Sequence, residues 1–128
     1  MPTYQQVVAK LPSIGLDHPL IHQEMIETVG LIERMDASIA RVEAIYKDAS
    51  AHLDQADGFL VSYKQSADTR MSNGSMTQEA FDKELEFLVK TRTEIHKKTQ
   101  EAETMLVSQR YRQVLLMDYV IELYRRLV

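Results

Sequence analysis

From Ile32 onward, apolar and small residues fall at Ile32, Met35, Ile39, Val42, Tyr46, Ala49, Leu53, Ala56, Leu60 and Tyr63, in alternating steps of three and four. That rhythm keeps one stripe of a helix against a neighbouring helix, so it predicts a heptad seam. The phase reaches back to Met25 and Ile21 with Thr28 as the interruption, while Gly30 and Gly58 are points where the helix can bend or be approached closely.

A second stripe follows at Phe81, Leu85, Leu88, Ile95, Ala102 and Leu106, with Arg92, Thr99, Gln109 and Gln113 in the same register, so its middle is weakly apolar. Between the two stripes lies "SADTRMSNGSMT", the one internal cluster of turn-forming residues, whose Asn73-Gly74 pair supplies left-handed backbone. Thr77 is placed to cap the second helix, with Glu79 and Asp82 near its positive end, and no Gly or Pro follows through Val128. At 1.5 Å per residue this second helix is about 75 Å long.

Before the first stripe, "PTYQQVVAKLP" reads as a short helix with Thr3 as N-cap, Val7, Val8 and Leu11 on one side, and a stop before Pro12. "SIGLD" is a connector, and Asp17 or His18 caps the long helix with Pro19 in its first turn. The expected organisation is therefore a 1–16 N-terminal arm with a short helix, and a 17–128 helical hairpin. Within it, one helix covers about 17–66, the loop about 67–76 and the second helix about 77–127. The fold class is all-α: a long antiparallel, coiled-coil-like hairpin with a short N-terminal helix, assembling into a larger helical bundle.

Folding back around that loop sets residue i near residue 143 minus i, with Leu60 by Lys83, Phe81 by Val61 or Ser62, and Ile32 by Tyr111. The late arginines Arg110, Arg112, Arg125 and Arg126 then fall near Glu24, Glu27 and Glu33. Exposed pairs of this kind contribute about 0.3–0.5 kcal/mol each and select orientation more than they stabilise. At the loop end, Asp54 and Asp57 are expected to approach Glu84 and Glu86.

The chain closes on "LLMDYVIELYRRLV". On a helical wheel Leu116, Met117, Val120, Ile121, Leu123, Tyr124, Leu127 and Val128 cover about half the circumference, and Asp118, Glu122, Arg125 and Arg126 share the other arc. A two-helix seam buries only a narrow stripe, so this half-cylinder needs two neighbours. Two readings stay open: a local three-helix core with the arm and the start of the first long helix, or a surface for a partner or a second copy. The candidate partner-binding residues are Tyr111, Val114, Leu116, Met117, Tyr119, Val120, Ile121, Leu123, Tyr124 and Leu127. Tyrosines are favoured at interfaces because a large apolar ring carries a polar tip. Met25, Met35, Met105 and Met117 could give an adaptable binding surface, but Met at helical spacing is more often core filler, and that reading is favoured.

The composition, 45% hydrophobic and 27% charged over 128 residues, is that of one folded domain rather than a disordered chain. A net charge of −4 argues against nucleic acid as a partner, since phosphate binding needs clustered Lys and Arg. "MPTYQQVVAKLPSIG" lacks the basic start and apolar core of a signal peptide, and no stretch is long and apolar enough for a membrane span, so a cytoplasmic location is expected. The absence of Cys closes off disulfides, thiolate catalysis and Cys-based zinc sites.

His18 and His22, one turn apart, have metal-ligand spacing but no third ligand completes a set; none of the four His follows the Glu-x-x-His pattern of di-iron bundles. His52 and His96 stand singly on the two helices. No nucleophile triad, phosphate loop or dinucleotide fingerprint is present, so no catalytic residue, cofactor or metal is expected. In layout the chain resembles the small cytoplasmic coiled-coil hairpins that serve bacterial export machines as stalks or chaperones. That resemblance in topology implies a non-enzymatic protein-binding role: an assembly subunit, adaptor or chaperone that binds other helices, or a homo-oligomer. The alternative is a ligand- or metal-binding helical bundle with a catalytic role.

Overall fold

The structure of the chain, a computed structural model, describes every residue except 15, 16 and 128. Gly15 and Leu16 of the expected connector, and Val128 of the apolar arc, therefore lie outside the described residues. Three helices make up the fold, with no strand among the described residues: α1 (Tyr4–Ile14), α2 (Pro19–Ser72) and α3 (Gln78–Leu127). The long helices α2 and α3 pack against each other as a helical hairpin, with α1 as the short N-terminal helix.

Helix α1 begins with a reciprocal cap: the Gln6 N–H donates to Thr3 Oγ1 at 3.2 Å, and the Thr3 N–H donates to Gln6 Oε1 at 2.9 Å. It does not stop before Pro12 but runs on to Ile14. Pro12 lies in the last turn, where one helix bond is lost, and Leu11 and Ile14 on either side of it pack into the core.

Likewise α2 extends to Ser72, six residues past the expected end at residue 66, and the turn is confined to 73–77. Ala67 is completely buried, which gives the polar "SADTRMS" stretch an apolar anchor and keeps it helical. Gly74, at φ 80°, ends the helix in the left-handed region, with its N–H donated to the Met71 carbonyl and that of Ser75 to the Arg70 carbonyl. Asn73 Oδ1 accepts from the Ser75 N–H and hydroxyl, and Thr77 Oγ1 accepts from the Ala80 N–H to cap α3.

Because the turn sits later than expected, the register moves with it. Tyr63 rather than Val61 or Ser62 stacks on Phe81, with ring centroids 6.0 Å apart, and Gln113 rather than Tyr111 reaches Ile32, through Nε2 to the carbonyl oxygen at 3.1 Å.

Two compact units divide the chain: residues 1–42 together with 105–128, and residues 43–104. The core of the first contains Val7, Leu11, Met25, Val29, Ile32, Val120 and Leu123, one cluster drawn from all three helices, with Ile39, Val42 and Leu106 forming another. The second has a leaner interior. Its fully or nearly buried residues are Ala67, Thr99 and Ala102, and the larger seam residues Tyr46, Leu53, Leu60, Leu85, Leu88 and Ile95 are only half-buried.

Polar residues in the α3 stripe are accommodated individually. Thr99 returns its hydroxyl to the Ile95 carbonyl, Gln109 Oε1 accepts from the Ser38 hydroxyl, and Gln113 also donates to Asp36. Of the expected cross-helix charge pairs, Arg125 and Arg126 instead meet Glu122 on their own helix, and Glu24 accepts from the Tyr119 hydroxyl. Towards the loop end Asp57 takes the guanidinium of Arg92 and Glu84 accepts from the Tyr63 hydroxyl.

Candidate functional site

The ten residues singled out near the C-terminus separate into two groups. Val120 and Leu123 are buried, and Leu116, Met117, Ile121, Tyr124 and Leu127 pack around them against α1 and the start of α2. The local three-helix core thus takes up most of the half-cylinder. Lys10 of α1 closes its edge, donating to Tyr124 Oη at 3.2 Å with its ammonium 5.4 Å from the ring centroid.

Tyr111, Val114 and Tyr119 stay at the surface. Tyr111 and Val114 form an outward stripe on α3 with Val107 and Leu115, and Tyr119 donates to Glu24 Oε1 at 3.2 Å. Partial desolvation of the hydroxyl first, then that bond and the Glu24 charge, hold the Tyr119 phenol above its ordinary value of 10.0. Tyr4 is raised for a similar reason, burial first and then the Glu33 and Asp36 carboxylates.

A different feature stands out in the second unit. Alongside the seam, α2 and α3 leave an open apolar groove of about 640 Å³. On α2 it is lined by Ile45, Ala49, His52, Ala56, Phe59 and Leu60, and on α3 chiefly by Leu88, Thr91, Ile95 and Lys98. Ile45, His52 and Phe59 recur every seven residues, so they form a line parallel to the seam and one position removed from it.

The groove exists because the seam beneath it is built from small residues. Ala49 and Ala56 alternate with Leu53 and Leu60, and on α3 the matching position is Arg92, which turns to Asp57 with Nε at 2.8 Å from Oδ1. Short side chains leave a trough that the larger flanking residues do not fill, and Ile45 and Phe59 each remain 59% exposed. The heptad reading missed this line because it scored only the best-aligned stripe; the seven-residue recurrence of Ile45, His52 and Phe59 beside it was the available signal.

Of the other candidates, His18 and His22 are one turn apart at the start of α2, and among the described residues no three His, Asp or Glu side chains gather as a metal site. His52 lines the groove, and His96 Nδ1 is buried without a hydrogen-bond partner among the described residues. Among the described residues no helix is long and apolar enough to cross a membrane. No protein-family model, curated protein or solved structure matches this chain.

Proposed function

We propose that this chain is a non-enzymatic protein-interaction module, acting in the cytoplasm as an assembly subunit, adaptor or chaperone, and that the groove of the second unit receives a helix. The observation that carries this reading is the groove itself: a trough of about 640 Å³ with Ile45 and Phe59 left 59% exposed on its wall. Exposed apolar surface in one contiguous patch has a hydration cost that association removes. Its shape favours a helix over a compact ligand. The lining residues follow helical spacings of three and four along both walls, which is the pattern into which a second amphipathic helix sets its own i, i+3, i+4 and i+7 anchors.

The chemistry of the lining supports binding over catalysis. Apart from His52, Gln55, Arg92 and Lys98 the walls are apolar or Thr, and Arg92 is already engaged by Asp57. The test is a photo-crosslinking amino acid in place of Phe59, activated in the native source. Adducts with a polypeptide, identified by mass, are expected. Reaction with solvent alone would contradict the reading.

A further inference from the structure

We propose that Asn73 is a self-modification site: the turn between α2 and α3 promotes conversion of its side-chain amide into a carboxylate, with water as the co-reactant and no enzyme or cofactor. Asn73 is the only Asn in the chain, and Gly74 follows it. Both are exposed, as is Ser75. The reaction begins when the Gly74 nitrogen attacks Asn73 Cγ, so the turn must allow that approach and stabilise the charge that develops on Oδ1.

Approach is favoured by the turn's own geometry. The Ser75 N–H donates to Asn73 Oδ1 at 3.0 Å, and this bond folds the side chain over the peptide that follows it, bringing Cγ back towards the Gly74 nitrogen. Gly74 has no side chain to stand in the way, and the space where one would lie is open. Its N–H donates to the Met71 carbonyl at 3.2 Å, the long end of the hydrogen-bond range, so little is lost when that nitrogen is released to react.

Activation comes from Ser75. Its hydroxyl lies 2.6 Å from Asn73 Oδ1 and 3.2 Å from the Arg70 carbonyl, so its single proton is directed chiefly to Asn73. Oδ1 therefore accepts from two donors of one residue, the backbone N–H and the hydroxyl. As the Gly74 nitrogen adds to Cγ, the negative charge forms on that same oxygen. Two donors already aimed at it make a small oxyanion hole.

The bonds balance as follows. The Gly74 N–H proton passes to solvent hydroxide, a Gly74 N–Cγ bond forms and the Cγ–Nδ2 bond breaks. The leaving nitrogen takes a proton from water and departs as ammonia, which leaves a five-membered cyclic imide. Water then opens the ring at Cγ, giving Asp, or at the main-chain carbonyl carbon, giving isoaspartate. No oxidation or reduction occurs.

The chain holds a contrasting pair at Asp57 and Gly58, where a carboxyl also precedes a Gly. That pair lies inside α2, where the Gly58 N–H belongs to the helix ladder, and Asp57 is held by Arg92. Only the turn offers both approach and activation. Either product changes the hairpin tip. Asp places a negative charge at the C-terminal, negative end of the α2 dipole. Isoaspartate lengthens the main chain by one carbon, so the bonds from Gly74 and Ser75 back to Met71 and Arg70 lose their register.

The test follows the full chain by mass in mildly alkaline buffer, folded and unfolded in guanidinium chloride. Trypsin then isolates residues 71–83, between Arg70 and Lys83, for mapping. The folded chain is expected to gain about one dalton at Asn73, as Asp and isoaspartate, at least as fast as the unfolded chain. Ser75→Ala should slow the folded chain about threefold, after correction for any change in the unfolded one, because one donor to the oxyanion is lost in a site open to water. Slower conversion of Asn73 in the folded than in the unfolded chain would show that the turn protects the amide, and would overturn the proposal. So would a folded Ser75→Ala chain that converts as fast as wild type after that correction.

Discussion

Arg92 of α3 directs its guanidinium away from the seam on which its position falls and onto Asp57 of α2, with Nε 2.8 Å from Oδ1. Both side chains keep substantial contact with water, at 35% and 48% exposure, so the pair contributes little: about 0–1 kcal/mol is usual for exposed ion pairs. Arg92→Leu places an apolar side chain on the seam and leaves Asp57 solvated. The expected result is a gain of about 1 kcal/mol in unfolding free energy, read by chemical denaturation. A loss of comparable size would show that the ion pair holds the helices together.

Leu123 lies in the three-helix core at 6% exposure, with Val7, Leu11 and Met25 in the same cluster. Leu123→Asp forfeits about 1.5–3 kcal/mol of burial and adds the desolvation of a carboxylate, so the melting temperature should fall steeply. Arg125→Asp, on an exposed residue that pairs with Glu122 of its own helix, is the control and should stay within about 0.5 kcal/mol. Equal losses at the two positions would mean that the apolar face of α3 is misassigned.

The paired bonds between Thr3 and Gln6 start an 11-residue helix, too short to persist alone. Thr3→Ala removes the hydroxyl and should cost about 1 kcal/mol. Hydrogen exchange at the α1 amides should rise before exchange in α2. Unchanged exchange would show that packing of Val7 and Leu11 alone fixes the helix.

Much of this layout is legible in the order of residues. Each residue of the stripe from Ile32 to Tyr63 lies on the buried or half-buried side of α2, because a three-four rhythm admits one buried face and no other. The ends of the helices were less legible. The stretch from Ser66 to Ser72 is rich in loop-forming residues, but Ala67 finds complete burial, and tertiary packing overrides local preference. At Pro12 the packing of Leu11 and Ile14 likewise outweighs one lost bond. The groove was hidden for another reason. It comes from what Ala49 and Ala56 fail to fill, and a vacancy between two helices is a property of their pairing, whereas periodicity describes each helix singly.

Tyrosine ionisation gives a pH signature. Tyr4, Tyr63 and Tyr119 are all raised above 10.0: Tyr4 first by burial, Tyr119 first by partial desolvation of its hydroxyl and then by its bond to Glu24, and Tyr63 first by donating to Glu84. A raised phenol binds its proton more tightly when folded than when unfolded. Its contribution is therefore complete below pH 10 and is lost as pH rises through the folded values. Melting temperatures should fall above roughly pH 10, and Tyr119→Phe should make that fall shallower than in the wild-type chain. Identical alkaline limbs in the two proteins would mean that the Tyr119 to Glu24 bond has no bearing on folding.

The most direct measurement is on Phe59→Asp, with association and folding read on the same sample. Phe59 is 59% exposed on the groove wall and outside the buried clusters. An interface role therefore predicts that association is lost while the thermal melt of the helices, at a concentration where the chain is monomeric, stays within about 0.5 kcal/mol of wild type. Association that survives the substitution, or a fold that collapses with it, would contradict the claim that this groove is where the protein meets its partner.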